Sequence, residues 1–161
     1  MLAGIYWFCN PSHMISFSFI DKEDVQAIHR GELPTNITNS AALLDALSFA
    51  LCFPDYFGGN WDALDECIRD LSWLPPGDIV LIHTDLPLAN DLPALSVDLS
   101  ILQDAIKNWD TRGSNLIYVS PSEWDAGGKH ELLVKRKLHV VFPLNTASIV
   151  RSVLADNGSR E

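Results

Sequence analysis

Basic residues are scarce in this chain of 161 residues: 11 Lys and Arg stand against 21 Asp and Glu, a formal net charge of −10. A field of that sign repels phosphate backbones, so direct nucleic-acid binding is disfavoured and basic proteins are the favoured partners; ordinary solubility is served equally well. Cysteine is scarce too. Cys9, Cys52 and Cys67 are odd in number and show no C-x-x-C spacing, which argues against a disulfide framework, and they read as buried thiols of a cytoplasmic protein. Long hydrophobic runs are missing. The apolar stretch Ile5 to Cys9 lacks a basic flank and is too short for a signal peptide or a membrane span. There is no internal repeat, no low-complexity tract and no phosphate-cradling G-x-x-x-x-G-K-[ST] loop.

What is present suits one compact domain, with 47% hydrophobic residues spread over an ordinary domain length. Ile5 to Cys9 is β-prone, Asn10 to His13 reads as a turn, and Met14 to Ile20 alternates as a half-buried strand does. Asp21 is placed to cap a short helix through Ile28 and Arg30 that stops at Gly31, with Glu32 to Asn36 as loop. Ser40 to Cys52 is a stronger helix, capped by Asn39 or Ser40 and ended by Pro54. After Pro75-Pro76-Gly77, Asp78 to His83 is a near-continuous β-branched run of the kind found in a strand buried on both faces.

Asp85 to Leu95 reads as a loop punctuated by Pro87 and Pro93, followed by a helix from about Asp98 to Asp110 that Gly113 ends. Asn115 to Ser120 supplies a further strand. Beyond a polar linker at Glu123 to Lys129, Leu132 to Phe142 contains one or two strands, and Thr146 to Leu154 a final helix. Strands alternating with helices imply crossovers and a parallel sheet, so the fold class is α/β. The basic patch Lys135, Arg136 and Lys137 lacks interleaved aromatics and reads as a solvated strand face or an internal partner for the acidic surface.

The most informative segment is Phe53 to Leu71, F-P-D-Y-F-G-G-N-W-D-A-L-D-E-C-I-R-D-L. Asn60 is placed to cap a helix, and Gly58 and Gly59 free the turn before it. At 3.6 residues per turn Trp61, Leu64, Cys67, Ile68 and Leu71 form the inward stripe, leaving Asp62, Asp65, Glu66, Arg69 and Asp70 toward water. Like charges four residues apart, Asp62 with Glu66 and Glu66 with Asp70, each cost a helix roughly 0.2–0.5 kcal/mol. Asp65 with Arg69 recovers about as much, and the helix dipole favours Asp62. Folding alone does not require such crowding, although a plain solvated face on an acidic protein would also look like this.

With F-P-x-Y-F-G-x-N-W-D-A-L-x-x-C-I-x-D-L fixed over about twenty residues, Leu51 to Leu71 resembles the central motif of the barstar family of ribonuclease inhibitors. A looser likeness runs from Met14 to Ser120. The resemblance implies a small parallel three-stranded sheet with covering helices over residues 1–120, with an N-terminal arm, and residues 121–161 as a C-terminal extension packed on the same domain. That extension would add an edge strand and a helix, or a second contact surface. The resemblance further implies no catalysis, no cofactor and no metal, and a surface that plugs the cationic active site of a small basic ribonuclease, with no direct nucleic-acid or membrane contact. Partner-binding residues would be Tyr56, packing on the enzyme; Gly58, allowing close backbone approach; Asn60 on the same turn; and Asp62, Asp65 and Glu66 on the helix. Asp62 and Glu66 would pair with groups that otherwise hold RNA phosphate.

Three positions depart from the family's best-known member. Glu66 stands where it has Asp, Asp65 where it has an aromatic residue, and neutral Asn108 where its later helix offers an acid, a contact that is either lost here or supplied by Asp110. Two other readings compete. One is an acidic adaptor for another basic protein; the other is a metal-carboxylate enzyme using Asp62, Asp65 and Glu66 with His83 and Asp85, since hard cations take oxygen ligands.

Overall fold

The computed structural model describes residues 16–19, 27–111 and 136–158. The strand at Ile5 to Cys9, the turn at Asn10 to His13, the helix start at Asp21, the stop at Gly113, the strand Asn115 to Ser120, the linker at Glu123 to Lys129 and the cation Lys135 all lie outside the described residues.

Among the described residues four parallel strands form the sheet: β1 (Ser18–Phe19), β2 (His29–Leu33), β3 (Ile79–His83) and β4 (Leu138–Phe142), in the order β1-β4-β3-β2. Ile79 of β3 stands opposite His29 on one side and Leu138 on the other, and Leu33 opposite His83. All five residues of β3 are buried, as a strand flanked by neighbours on both sides must be. β4 lies between β3 and β1, so residues 138–142 supply the extension's strand in the interior of the sheet and not at its edge, and the four strands among the described residues match three plus that one.

β2 corrects the expected helix through Ile28 and Arg30 and the loop from Glu32. His29-Arg30-Gly31-Glu32-Leu33 alternates, with Gly31 and Leu33 buried and Arg30 and Glu32 exposed. Gly31 is not a helix stop. A Cβ there would lie 2.7 Å from the carbonyl oxygen of Ala50, so only glycine lets the strand pass the end of the next helix this closely.

Four helices lie among the described residues: α1 (Ser40–Ala50), α2 (Trp61–Asp70), α3 (Leu92–Thr111) and α4 (Ala147–Gly158), the last entered through a 3-10 turn at Leu144–Thr146. Asn39 caps α1, its Oδ1 accepting from the Ala42 amide at 2.9 Å. α3 begins earlier than Asp98 because Asp91 caps it, accepting from the Ala94 amide at 3.2 Å. Pro93 then falls in the first turn, where a missing N–H costs nothing. Leu43, Leu47, Leu64, Ile68, Leu99 and Leu102 pack on Ile79, Leu81, Val140 and Phe142 in one core, while Val80, Ile82 and Val141 form a smaller cluster. The strands' alternation puts that second cluster on the opposite face of the sheet.

Candidate partner-binding surface

Local chemistry brings the chain from α1 into α2. The Cys52 amide donates to the Phe49 carbonyl at 3.3 Å and the Phe53 amide to the Ser48 carbonyl at 2.9 Å, a Schellman closure with Cys52 left-handed at φ 52°. Cys52 is exposed and only Cys67 is buried, which corrects the expectation of buried thiols for Cys52; Cys9 lies outside the described residues. The helix register placed Cys52 after α1's last turn, where the chain has already turned outward.

Phe53 and Phe57 then fold against each other, ring centroids 4.8 Å apart, and Phe53 meets Trp73 at 5.9 Å. Those contacts anchor the turn from inside and leave Tyr56 outside, 73% exposed. Gly59 has φ 65°, a conformation glycine adopts without penalty; Gly58 is exposed and outside the left-handed region. Asn60 sits at φ −135° and its Oδ1 accepts from the Ala63 amide at 2.9 Å, capping α2.

On α2, Leu64, Cys67 and Ile68 are buried, and Asp62, Glu66 and Asp70 are exposed. Asp65 differs from them. Its Oδ1 lies 2.7 Å from Arg69 Nη2 and 2.8 Å from Nε, so its charge is largely matched within the helix. Tyr56, Phe57, Ala63, Glu66, Cys67 and Asp70 enclose a small cleft of about 130 Å³. Partial desolvation and the charges of Asp70, Cys67 and Glu66 raise the Tyr56 pKa, and burial with the Asp70 and Glu66 charges does the same for the Cys67 thiol. Both groups therefore stay neutral, and the thiol is unreactive. Asp70 and Cys67 were not among the expected contact residues; the four-residue step from Glu66 to Asp70 was the available signal.

The turn and helix thus present Tyr56, Asp62 and Glu66 to solvent together, with Gly58 and Asn60 in the turn between them and Asp65 tied to Arg69. His83 and Asp85 do not join them. His83 is buried, stacked on Phe142 at 3.9 Å with Nδ1 3.2 Å from the Val141 carbonyl, and burial pulls its pKa down to about 3. Asp85 accepts from the Asn36 amide at 2.8 Å. Among the described residues no group of three or more His, Cys, Asp or Glu could hold a metal ion, so the metal-carboxylate constellation does not assemble. On the later helix, Asn108 is half-buried and Asp110 exposed.

Within the basic patch, Arg136 does not lie on a solvated face. Arg136 is buried and donates to main-chain carbonyls, while Lys137 is exposed. A larger open groove, about 750 Å³, lies between β2 and α1, where Arg30, Glu32 and Asp45 mix charges of both signs around exposed Phe49. Among the described residues no helix is long and apolar enough to cross a membrane.

No curated protein and no solved structure matches the chain. The family model described as Barstar (barnase inhibitor) matches residues 34–120, from the end of β2 through α1, the aromatic turn, α2, β3 and α3. That stretch is more than half of the chain and contains the whole acidic surface, and the chain belongs to the Barstar family.

Proposed function

We propose that this protein inhibits a small basic ribonuclease by seating the Tyr56 turn and the acidic face of α2 in the enzyme's cationic active site. The observation that carries the reading is the pairing of Asp62 and Glu66, one helical turn apart and both exposed, beside exposed Tyr56 on a rigidly anchored turn. Carboxylates so placed offer a nuclease the charge that RNA phosphates offer it. The Barstar family membership, described by barnase inhibition, supports the same reading.

Asp62 and Glu66 are the main charge contacts, Tyr56 the aromatic contact, and Gly58 and Asn60 the backbone of the approach. Asp65 contributes through its Arg69 pair as a rigid edge of the surface. The protein acts as a stoichiometric binder and not as an enzyme, in the manner of a cytoplasmic immunity protein that neutralises a toxin. Residues 121–161 belong with residues 1–120 as one unit, a reading supported by the hydrogen bonding of β4 between β3 and β1.

Affinity capture at low and moderate salt tests the proposal, with Asp62→Ala/Glu66→Ala protein as the parallel bait. A small basic ribonuclease held by the parent protein alone supports it. Equal capture by both baits, or a captured protein without nuclease activity, points instead to an acidic adaptor.

A further inference from the structure

The end of α2 is held by a side chain from far along the sequence. Arg136, two residues before β4, is 3% exposed, and its guanidinium donates to the carbonyls of Leu71, Leu74 at 2.9 Å and Pro75, with Nε donating to Gly77 at 3.1 Å. The same guanidinium lies 5.7 Å over the ring of Trp109, whose Nε1 donates to the Ile68 carbonyl at 2.9 Å. Carbonyls at a helix C-terminus and in the turn behind it have no intrahelical donors, and buried ones must find other partners. Here Trp109 supplies one to Ile68, and Arg136 supplies Leu71, Leu74, Pro75 and Gly77. Leu71 is left-handed at φ 46°, a conformation that is costly for a non-glycine residue and persists only when neighbours over-determine it.

The chemistry of the clamp is specific to arginine. Four carbonyls around one cation need a planar fork with five N–H donors; the lysine ammonium is a compact point charge with three. Asp70, on the last turn of α2, favours the guanidinium charge that burial opposes. Asp70 is also a wall of the cleft beside Tyr56 and Glu66, which Arg136 itself does not line.

We propose that Arg136 is a positioning residue for the acidic face: it fixes the C-terminal end of α2, and with it Glu66 and Asp70 around the cleft, without meeting the partner. The inference rests on the acidic face being the recognition surface. It extends that surface's requirements beyond residues 34–120, where the family match ends. A buried arginine clamped to the main chain so far downstream makes the β4 segment a determinant of recognition.

Amide hydrogen exchange by NMR and ribonuclease binding kinetics, compared across the parent protein, Arg136→Lys, Arg136→Met and the control Lys137→Met, test the proposal. The Leu71 and Leu74 amides, bonded to the Cys67 and Leu71 carbonyls, exchange at least about tenfold faster in both Arg136 variants, while the Leu43 and Leu51 amides of α1 keep their rates. The Trp109 indole resonance shifts in the same two variants. Lys137→Met, which removes a neighbouring exposed cation, changes none of these. Against barnase, or the ribonuclease captured by the parent protein, the Arg136 variants dissociate about tenfold faster with on-rates within about twofold, because the charges facing the enzyme are unaltered. Should Arg136→Met fail to fold, Arg136→Lys keeps the charge, loses the fork and carries the comparison. Uniform acceleration across α1 and α2, unchanged exchange at Leu71 and Leu74, or an unchanged off-rate overturns the proposal. A parent protein that binds no ribonuclease removes the functional reading, and the exchange pattern still decides whether Arg136 sets the end of α2.

Discussion

The indole Nε1 of Trp109 donates to the carbonyl of Ile68 at 2.9 Å, across the seam between the long helix α3 and the acidic helix α2. Trp109 is buried and lies on the same stripe of α3 as Leu102 and Ile106, so one side chain both fills the core and satisfies a carbonyl near the end of α2. Trp109→Phe keeps most of the volume and removes the donor. It should destabilise the protein by about 1–3 kcal/mol, read as a lower urea midpoint at unchanged slope.

Asn60 caps α2 through a single side-chain oxygen. Asn60→Ala should cost about 1 kcal/mol, whereas Asn60→Asp or Asn60→Ser should retain nearly all of it, because each still presents an oxygen to the first turn. Thermal unfolding of the three variants measures the difference.

Cys52 occupies the left-handed position of the Schellman closure of α1 and is exposed, so its side chain contributes little packing. Cys52→Gly should raise stability by roughly 1 kcal/mol through relief of the left-handed penalty. Gly31→Ala should act the opposite way, by overlap with the Ala50 carbonyl 2.7 Å from the added carbon.

Two buried groups give the protein opposed pH dependences. Burial with no hydrogen-bond partner among the described residues pushes Asp98 up to about 7 from 3.8, and burial pulls His83 down to about 3 from 6.5. For Asp98 the folded state holds a proton that the unfolded state has lost, so its contribution to stability falls as pH rises from about 4 to 7, by on the order of 4 kcal/mol. For His83 the unfolded state binds the extra proton, so its contribution falls as pH drops from about 6.5 to 3, by a similar order. The slopes cancel over much of the range between. Asp98→Leu should therefore make stability rise with pH between about 4 and 6.5 relative to the parent protein, and His83→Phe should make it fall. Denaturant titrations at pH 4, 5, 6 and 7 check both signs.

Legibility in the sequence followed the range of the interaction. α1, α2 and β3 were readable because their signals are local: Asn39 and Asn60 as caps, apolar residues at three and four spacing, and a β-branched run after Pro75-Pro76-Gly77. The exposure of Asp62 and Glu66 and the Asp65–Arg69 pair followed from the same periodicity. β2 was not readable. Gly31 is needed because of a carbonyl nineteen residues later, at Ala50, and glycine in a polar stretch otherwise looks like a stop. Pro93 equally suits a loop or a first helical turn, and only Asp91 decides. Arg136 looked like part of a solvated cluster because its partners, Leu71 to Gly77, lie about sixty residues away.

Inhibition by the acidic face is decided by titrating parent and Asp62→Ala/Glu66→Ala protein into a ribonuclease assay, run with barnase and with small basic microbial ribonucleases at low and moderate salt. The parent protein should inhibit at least one enzyme stoichiometrically, the more weakly the higher the salt. The variant should lose roughly 3 kcal/mol, more than a hundredfold in affinity, together with most of the salt dependence. Equal inhibition by both proteins, or inhibition of no ribonuclease by the parent, would rule out the acidic face of α2 as a ribonuclease-inhibiting surface.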